Sequence, residues 1–121
     1  MVIALFEHKL RADIDTAEWE QTVGRMVRRA VEMPGFVSVN GYKAADGTGL
    51  AVVRFVSEDA LDLWEAHPEH RVIQARGREA FFDYYKTTVA TEVVRESDWT
   101  RSVLGPGQRR GVVPDVSKLG G

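Results

Sequence analysis

Two histidines flank a proline near the middle of the chain, and their side chains suit acid–base chemistry. His67 and His70 stand three residues apart in the run WEAHPEH. Imidazole titrates near neutral pH, so either ring could take a proton from an acidic C–H group or a phenol. The alternative is structural, with His67 capping a helix that begins at Pro68 and His70 bonding a loop carbonyl. Both interpretations are open at this point.

Two further polar side chains fall on predicted strands. His8 shares one side of the first strand with Phe6, so it points into a cleft if that side faces the helices, and otherwise lies at a solvated strand end. Asn40 lies in mid-strand, where asparagine is unusual, so it is either a bulge or edge feature or a polar group aimed at a ligand. The candidate catalytic residues are therefore His8, His67, His70 and Asn40.

Aromatic and cationic side chains supply the predicted wall of a binding site. Trp64 is the leading candidate, because an indole offers a large flat face and one hydrogen-bond donor, although a plain core role is the alternative. Tyr84 could present its hydroxyl to a cleft, but helically spaced aromatics belong to the core more often. The candidate substrate-binding residues are Phe6, Trp64, Arg54, Phe81 and Tyr84. No metal site is predicted, since His-x-x-His supplies only two ligands.

The helices that carry most of these residues have clear boundary signals. Ser57 is a good N-cap and predicts a short helix over about 58–66. Pro68 suits the start of a second helix, over about 69–84. The predicted buried stripe of this second helix contains Ile73, Gly77, Ala80 and Tyr84. An adjacent strip contains His70, Gln74 and Phe81. Glycine in a helix interior costs about 1 kcal/mol, so we expect close packing against the Gly77 backbone.

The remaining elements complete a sheet with the helices on one side. Asp15 opens the first helix, with Glu18 at capping-box spacing. Strands are predicted over about 2–10, 36–43, 50–56 and 87–95. The order β-α-β-β-α-β indicates an α+β, ferredoxin-like fold that leaves one face of the sheet bare. We expect an apolar bare face, and hence a homodimer, with candidate residues Val37, Val39, Val53 and Val89.

Length and composition predict the domain organisation and exclude some classes of protein. The 121 residues predict one domain, over 1–96, followed by an extended arm over 97–121 that holds five of the eleven glycines. The net charge of -2 is not the clustered basic excess of a nucleic-acid-binding protein. No cysteine is present, which favours the cytoplasm, and no run is long and apolar enough to predict a membrane span.

Several short motifs together resemble one known family. They are MPGF after the first helix, the WEAHPEH step, the GRE-x-F-x-x-Y run and the VATE of the last strand. Over about residues 1–96 the chain resembles the antibiotic biosynthesis monooxygenase superfamily, whose members are dimeric α+β barrels. The resemblance implies a ligand site between the sheet and the helices. It also implies a range of activities, from cofactor-independent oxygenases and quinol monooxygenases to haem-degrading enzymes.

The haem-degrading branch can be compared residue by residue. Its members use an Asn on the first strand, a Trp on the short helix and a His about ten residues beyond that Trp. Trp64 matches the Trp, but the first-strand position resembles Glu7 and the histidine position is Gln74. Haem is therefore a secondary possibility, and the resemblance favours a protein that uses no cofactor.

Three functions remain in competition. The first is a cofactor-independent monooxygenase that deprotonates an aromatic polyketide-like or quinol substrate, which then reacts directly with O2. The second is a haem-binding or haem-degrading protein of the same fold. The third is a cyclase or a small-ligand-binding dimer that does not oxygenate. All three require a cavity beneath the helices.

Overall fold

The computed structural model describes residues 1–91 and 93–101. Four strands form the sheet: β1 (Val2–Leu10), β2 (Phe36–Lys43), β3 (Gly49–Phe55) and β4 (Phe82–Ala90). The helices are α1 (Thr16–Glu32), α2 (Glu58–Glu65) and α3 (Pro68–Arg76), and a π-helical turn (Gly77–Phe81) joins α3 to β4.

The strands lie in the order β2-β3-β1-β4, and every neighbouring pair is antiparallel. β1 therefore occupies the interior of the sheet, between β3 and β4, while β2 and β4 are its edges. The helices cover one face. This confirms the predicted α+β, ferredoxin-like fold.

Both predicted helix caps are present. The Asp15 carboxylate accepts a hydrogen bond from the Glu18 amide at 3.1 Å, and the Ser57 hydroxyl accepts one from the Ala60 amide at 3.1 Å. The Glu18 carboxylate accepts two hydrogen bonds from the Arg76 guanidinium, at 2.7 and 3.0 Å, in place of the predicted capping-box contact. Glu18 thus links α1 to α3.

The second helical segment is shorter than predicted. Regular helix ends at Arg76, the π turn follows, and residues 82–85 belong to β4, so the predicted helix over 69–84 and strand over 87–95 were both wrong at this junction. Phe82, Tyr84 and Tyr85 pair with the far end of β1, which places them in the sheet. Tyr84 is exposed at 48% and is not part of a buried helical stripe.

Gly77 has the close packing that the sequence predicted. A Cβ atom at this position would lie 2.5 Å from Cε2 of Phe82, which is too close for two carbon atoms. The Phe82 ring therefore rests on the glycine backbone. This contact lets the chain turn from α3 into β4 without separating the two elements.

Alternation along the strands fixes which residues share a face. Val53 stands opposite both Ala4 and Val39, and all three lie against the helical layer. Val89 also pairs with Ala4, and Val37 lies at a register irregularity. The prediction that Val39, Val53 and Val89 lie on the bare face was wrong, because the register places their side chains towards the helices.

The bare face still has an apolar centre, formed by other residues. Ile3 and Leu5 of β1 alternate with Ala4, and Val52 and Leu50 of β3 stand opposite Leu5 and Glu7. All four aliphatic side chains are half-buried in the single chain. Polar and charged positions surround them on the same face, namely Ser38, Asn40, Arg54, Lys86 and Thr88.

The predicted arm over 97–121 falls mostly outside the described residues, so its docking on the domain stays a prediction. Within the described part, Trp99 is exposed at 76%. In the described ranges no helix is long and apolar enough to cross a membrane.

Candidate functional site

A cavity of about 540 Å³ lies between the helix-facing side of the sheet and the helical layer. This volume is within the range of small-molecule binding sites. All four strands contribute to its floor, α1 supplies one wall, and α2 and α3 supply the other. The cavity that the oxygenase hypothesis requires is therefore present, and its lining is mostly apolar.

Four aromatic rings form a continuous layer on one side of the cavity. The ring of Phe6 lies 5.5 Å from those of Phe82 and Tyr85, and Trp19 lies 5.4 Å from Phe82, measured between centroids. The Phe6–Phe82 and Trp19–Phe82 pairs meet edge to face, a favourable arrangement for aromatic quadrupoles. Such a layer offers flat apolar surface to a planar ligand.

Trp64 and His70 stand together on the opposite wall. Trp64 is buried on α2, His70 lies in the first turn of α3, and their ring centroids are 4.9 Å apart. The Glu65 backbone carbonyl lies 3.3 Å from Nδ1 of His70. Because a carbonyl can only accept, this contact requires a proton on Nδ1, so the neutral ring carries its free lone pair on Nε2.

Burial sets the protonation of His70. The apolar surroundings lower its pKa below the ordinary value of 6.5, an effect that the Glu65 carbonyl opposes and that nearby His67 and Arg71 reinforce. His70 is therefore neutral at pH 7 and can act as a base. It lines the cavity, and among the three histidines it is the only one that does.

His67 takes the structural role that its position before Pro68 allows. Its Nδ1 accepts a hydrogen bond from the Glu69 amide at 3.1 Å and so caps α3. Nδ1 is occupied as an acceptor, and the residue does not line the cavity.

His8 lies behind the aromatic layer instead of in the cavity. It is 6% exposed, its ring stacks on Phe6 at 5.2 Å, and a Cβ atom at Gly49 would come within 2.4 Å of Nε2. Its Nδ1 is buried without a hydrogen-bond partner among the described residues. Burial lowers the pKa of His8, and the Phe6 backbone only partly offsets this effect. His8 supports the cavity floor and has no direct access to a ligand.

The structure separates the other candidates between the two faces of the sheet. Phe6, Trp64 and Phe81 line the cavity. Asn40 and Arg54 share the bare face, because each pairs with the residues that alternate away from the helices. Tyr84, opposite Lys9, also points away from the cavity. The expectation that Asn40, Arg54 and Tyr84 contribute to this site is therefore corrected by the strand register.

Sequence reasoning missed several polar residues in the lining. Tyr85 and Thr87 of β4, Thr22 of α1 and Gln74 of α3 all border the cavity. Tyr85 was missed because residues 82–84 were assigned to a helix; alternation from Tyr84 in a strand would have identified it. Thr22 lies three residues from Trp19 on α1, a spacing that places both on one helix face.

The cavity wall near His70 also carries charged residues. Asp62, Glu65 and Arg71 border it, and burial together with neighbouring Asp62 raises the pKa of Glu65. Within the described ranges no three His, Asp or Glu side chains are grouped to hold a metal ion. At the histidine position of the haem-degrading branch, Gln74 lines the cavity, and its neutral amide does not fit an axial haem ligand.

Comparison with known proteins identifies the fold family. The model of the family described as antibiotic biosynthesis monooxygenase matches residues 1–76. The uncharacterized protein YqjZ of Bacillus subtilis (strain 168) is 33% identical over 87 residues, which are 72% of this chain and 75% of that protein.

Solved structures show the same fold at lower identity. Rv0793 from Mycobacterium tuberculosis superposes with a TM-score of 0.68 at 23% identity, over 79% of this chain and 98% of that chain. SnoaB, a cofactor-independent oxygenase from Streptomyces nogalater, gives a TM-score of 0.62 at 17% identity, over 78% and 97%. The family model covers more than half of the chain, and the shared fold is consistent with it: this chain belongs to the antibiotic biosynthesis monooxygenase family.

Proposed function

We propose that the protein is a cofactor-independent monooxygenase that acts on a flat, electron-rich aromatic substrate of the anthrone or quinol type. The observation that supports this most directly is His70, a neutral imidazole at the wall of an apolar cavity. Its Nε2 has no hydrogen-bond partner among the described residues. The fold shared with SnoaB, itself a cofactor-independent oxygenase, adds support. The Trp64 indole and the layer of Phe6, Phe82 and Tyr85 provide flat surfaces for the rings of the substrate.

The proposed reaction uses the substrate as the reductant. Nε2 of His70 removes a proton from the acidic C–H group of an anthrone, which leaves a delocalised carbanion. The carbanion transfers electrons to O2 and forms a C–O bond, and the His70 imidazolium returns its proton to the peroxide. Loss of the second C–H proton with cleavage of the O–O bond gives a carbonyl and one molecule of water. One oxygen atom enters the product and the other becomes water, so no external reductant is needed.

The apolar cavity assists the first step by excluding water. A delocalised anion loses little when it leaves water, and hydrogen bonds from cavity donors gain strength in a low dielectric. Because the pKa of His70 lies below 6.5, its base form persists under mildly acidic conditions. The rate of O2 uptake therefore rises with pH through the lowered His70 pKa and levels off before neutrality.

Oxygen uptake with anthrone tests the proposal. We expect the native protein to consume O2, and His70→Gln to lower kcat/KM by about 10²–10⁴-fold, because the amide cannot accept the proton. His67→Asn is the matched control, since asparagine keeps the N-cap of α3 and leaves the rate within about twofold. Unchanged uptake in His70→Gln contradicts the role of His70.

Two further outcomes separate the competing functions. Product that forms equally under nitrogen indicates a cyclase or another reaction that does not use O2. A stoichiometric Soret band with haemin that His70→Gln abolishes indicates a haem protein. Either result overturns the oxygenase proposal.

We also propose that two copies assemble through the bare face of the sheet in the cytoplasm. Ile3, Leu5, Leu50 and Val52 form an apolar centre there, and none of the described helices covers it. A second copy packed sheet to sheet would remove this surface from water, which stabilises association by roughly 25 cal/mol per Å² of buried apolar area.

A further inference from the structure

Tyr85 is a cavity-lining residue on the edge strand β4, and its hydroxyl lies at the exposed rim. It stands opposite His8 in the register, and its ring packs at 5.5 Å from Phe6 and 5.7 Å from Phe82. The residue is half-buried and borders the cavity. These contacts hold the ring, so the position of its hydroxyl is set by the strand and not by a mobile loop.

A hydrogen bond from Arg78 fixes the hydrogen-bonding role of the Tyr85 hydroxyl. Nε of Arg78 donates this bond to the Tyr85 hydroxyl oxygen at 2.7 Å. A guanidinium only donates, so Tyr85 is the acceptor in this bond and its own proton stays free for another acceptor. Within residues 1–91 and 93–101, the structure records no protein group that accepts this proton. The arrangement is a polarised donor at the edge of an apolar cavity.

The π turn explains how Arg78 reaches Tyr85. The Phe82 amide bonds to the Gly77 carbonyl across a wide turn of five residues, and the Arg11 amide anchors the same turn through the Phe81 carbonyl at 2.8 Å. The turn buries Phe81 while it directs Arg78 back along β4. Such turns occur frequently at functional sites.

From this geometry we propose that Tyr85 donates its O–H to a negatively charged oxygen of the ligand, a phenolate or enolate, and that Arg78 is its positioning residue. The inference deepens the proposed function, on which it rests. It assigns a preference for ligands that present an acceptor oxygen to β4 while their rings lie against Phe6 and Phe82. A hydrogen bond to a charged oxygen is stronger than one to a neutral oxygen, so the site favours the ionised ligand.

A coloured phenol tests this assignment without turnover. The probe is a dihydroxyanthraquinone such as alizarin, whose absorption changes when a hydroxyl ionises. Spectrophotometric pH titration gives the ratio of phenolate to phenol in the bound dye. We expect Tyr85→Phe, which keeps the ring, to lower that ratio about tenfold, equivalent to a rise of about one unit in the pKa of the bound dye. Tyr84→Phe, one residue away on the opposite face, is the matched control and leaves the ratio unchanged.

A double-variant cycle shows whether Arg78 acts through Tyr85. Arg78→Gln alone lowers the phenolate ratio about threefold, and it has no further effect when added to Tyr85→Phe. Arg28→Gln on α1 removes the same charge elsewhere and serves as the control. An Arg78→Gln effect that persists in the Tyr85→Phe background overturns the positioning role.

The outcomes separate this inference from the proposed function. If the dye binds and anthrone is oxygenated, but Tyr85→Phe leaves the phenolate ratio unchanged, the assignment of Tyr85 fails alone. If the native protein binds no dye and consumes no O2 with anthrone, both the proposed oxygenase function and the proposed role of Tyr85 are wrong.

Discussion

The two faces of the sheet are built from alternating residues of the same strands, yet their surroundings are opposite. On β3, Val53 lies against the helical layer and the cavity, whereas Val52 lies on the bare face. On β4, Tyr85 borders the cavity and Tyr84 points away from it. One step along a strand thus moves a side chain from a candidate ligand site to a candidate protein interface.

The distribution of charge differs in the same way. Glu7, Arg54 and Lys86 all lie on the bare face, and the sheet contributes no ionised side chain to the cavity. A charged group beneath the helices would lose its hydration without a partner, whereas on the bare face of the single chain it keeps contact with water. The cavity face therefore carries neutral polar groups and the bare face carries charges around an apolar centre.

The largest expected difference comes from placing an aspartate on each face of the sheet in turn and comparing stability and dimerisation. Val53→Asp buries a carboxylate between the sheet and the helices, and we expect it to reduce the free energy of unfolding by about 3 kcal/mol or more. Val52→Asp keeps the monomer folded and disrupts the proposed homodimer. Denaturant unfolding and sedimentation measure the two effects. A fully dimeric Val52→Asp protein would place the interface elsewhere.

A methyl group at Gly77 tests how tightly the cavity floor is positioned. Gly77→Ala pushes the Phe82 ring from its place, and we expect a loss of about 1–3 kcal/mol in stability together with weaker dye binding. Gly24→Ala is the control, because its Cβ would meet only the flexible Arg28 side chain, 3.2 Å away. That variant gains up to about 1 kcal/mol from helix propensity. Equal effects at the two sites would show that Phe82 is free to move.

The smallest expected effect concerns His8 and pH. Its pKa in the folded protein is lowered by burial, so below about pH 6.5 the unfolded chain binds a proton that the native chain does not. Stability contributed by neutral His8 is therefore present above this region and decreases as the pH falls. His8→Phe should flatten the dependence of stability on pH between about 5 and 7. Thermal unfolding at several pH values measures this pH dependence of stability. An unchanged slope of stability against pH in His8→Phe would show that other groups cause the dependence.

Short-range signals were sufficient for most of the fold. Caps at Asp15 and Ser57 and the Pro68 helix start mark boundaries through interactions within a few residues. Strands β1 and β2 and helix α2 lie close to their predicted bounds. His67 was also identified as a possible cap from its place before Pro68, and it has that role. The cavity itself followed only from the family resemblance.

The junction after Arg76 was mispredicted for a physical reason. Aromatic residues at helical spacing fit a helix and a strand equally well until their partners are known, and here the end of β1 provides pairing partners for Phe82 to Tyr85. The error moved one tyrosine to the wrong face. It replaced Tyr85 with Tyr84 among the candidate site residues and hid the contact with Arg78.

The sequence by itself determined the order of elements and placed two histidines close to Trp64 along the chain, because caps, turns and hydrophobic periodicity act over short distances. Only the tertiary structure decided which histidine borders the cavity and which face receives Asn40, Arg54 and Tyr85. Strand register and helix packing decide those questions, and both depend on contacts between residues far apart in the sequence.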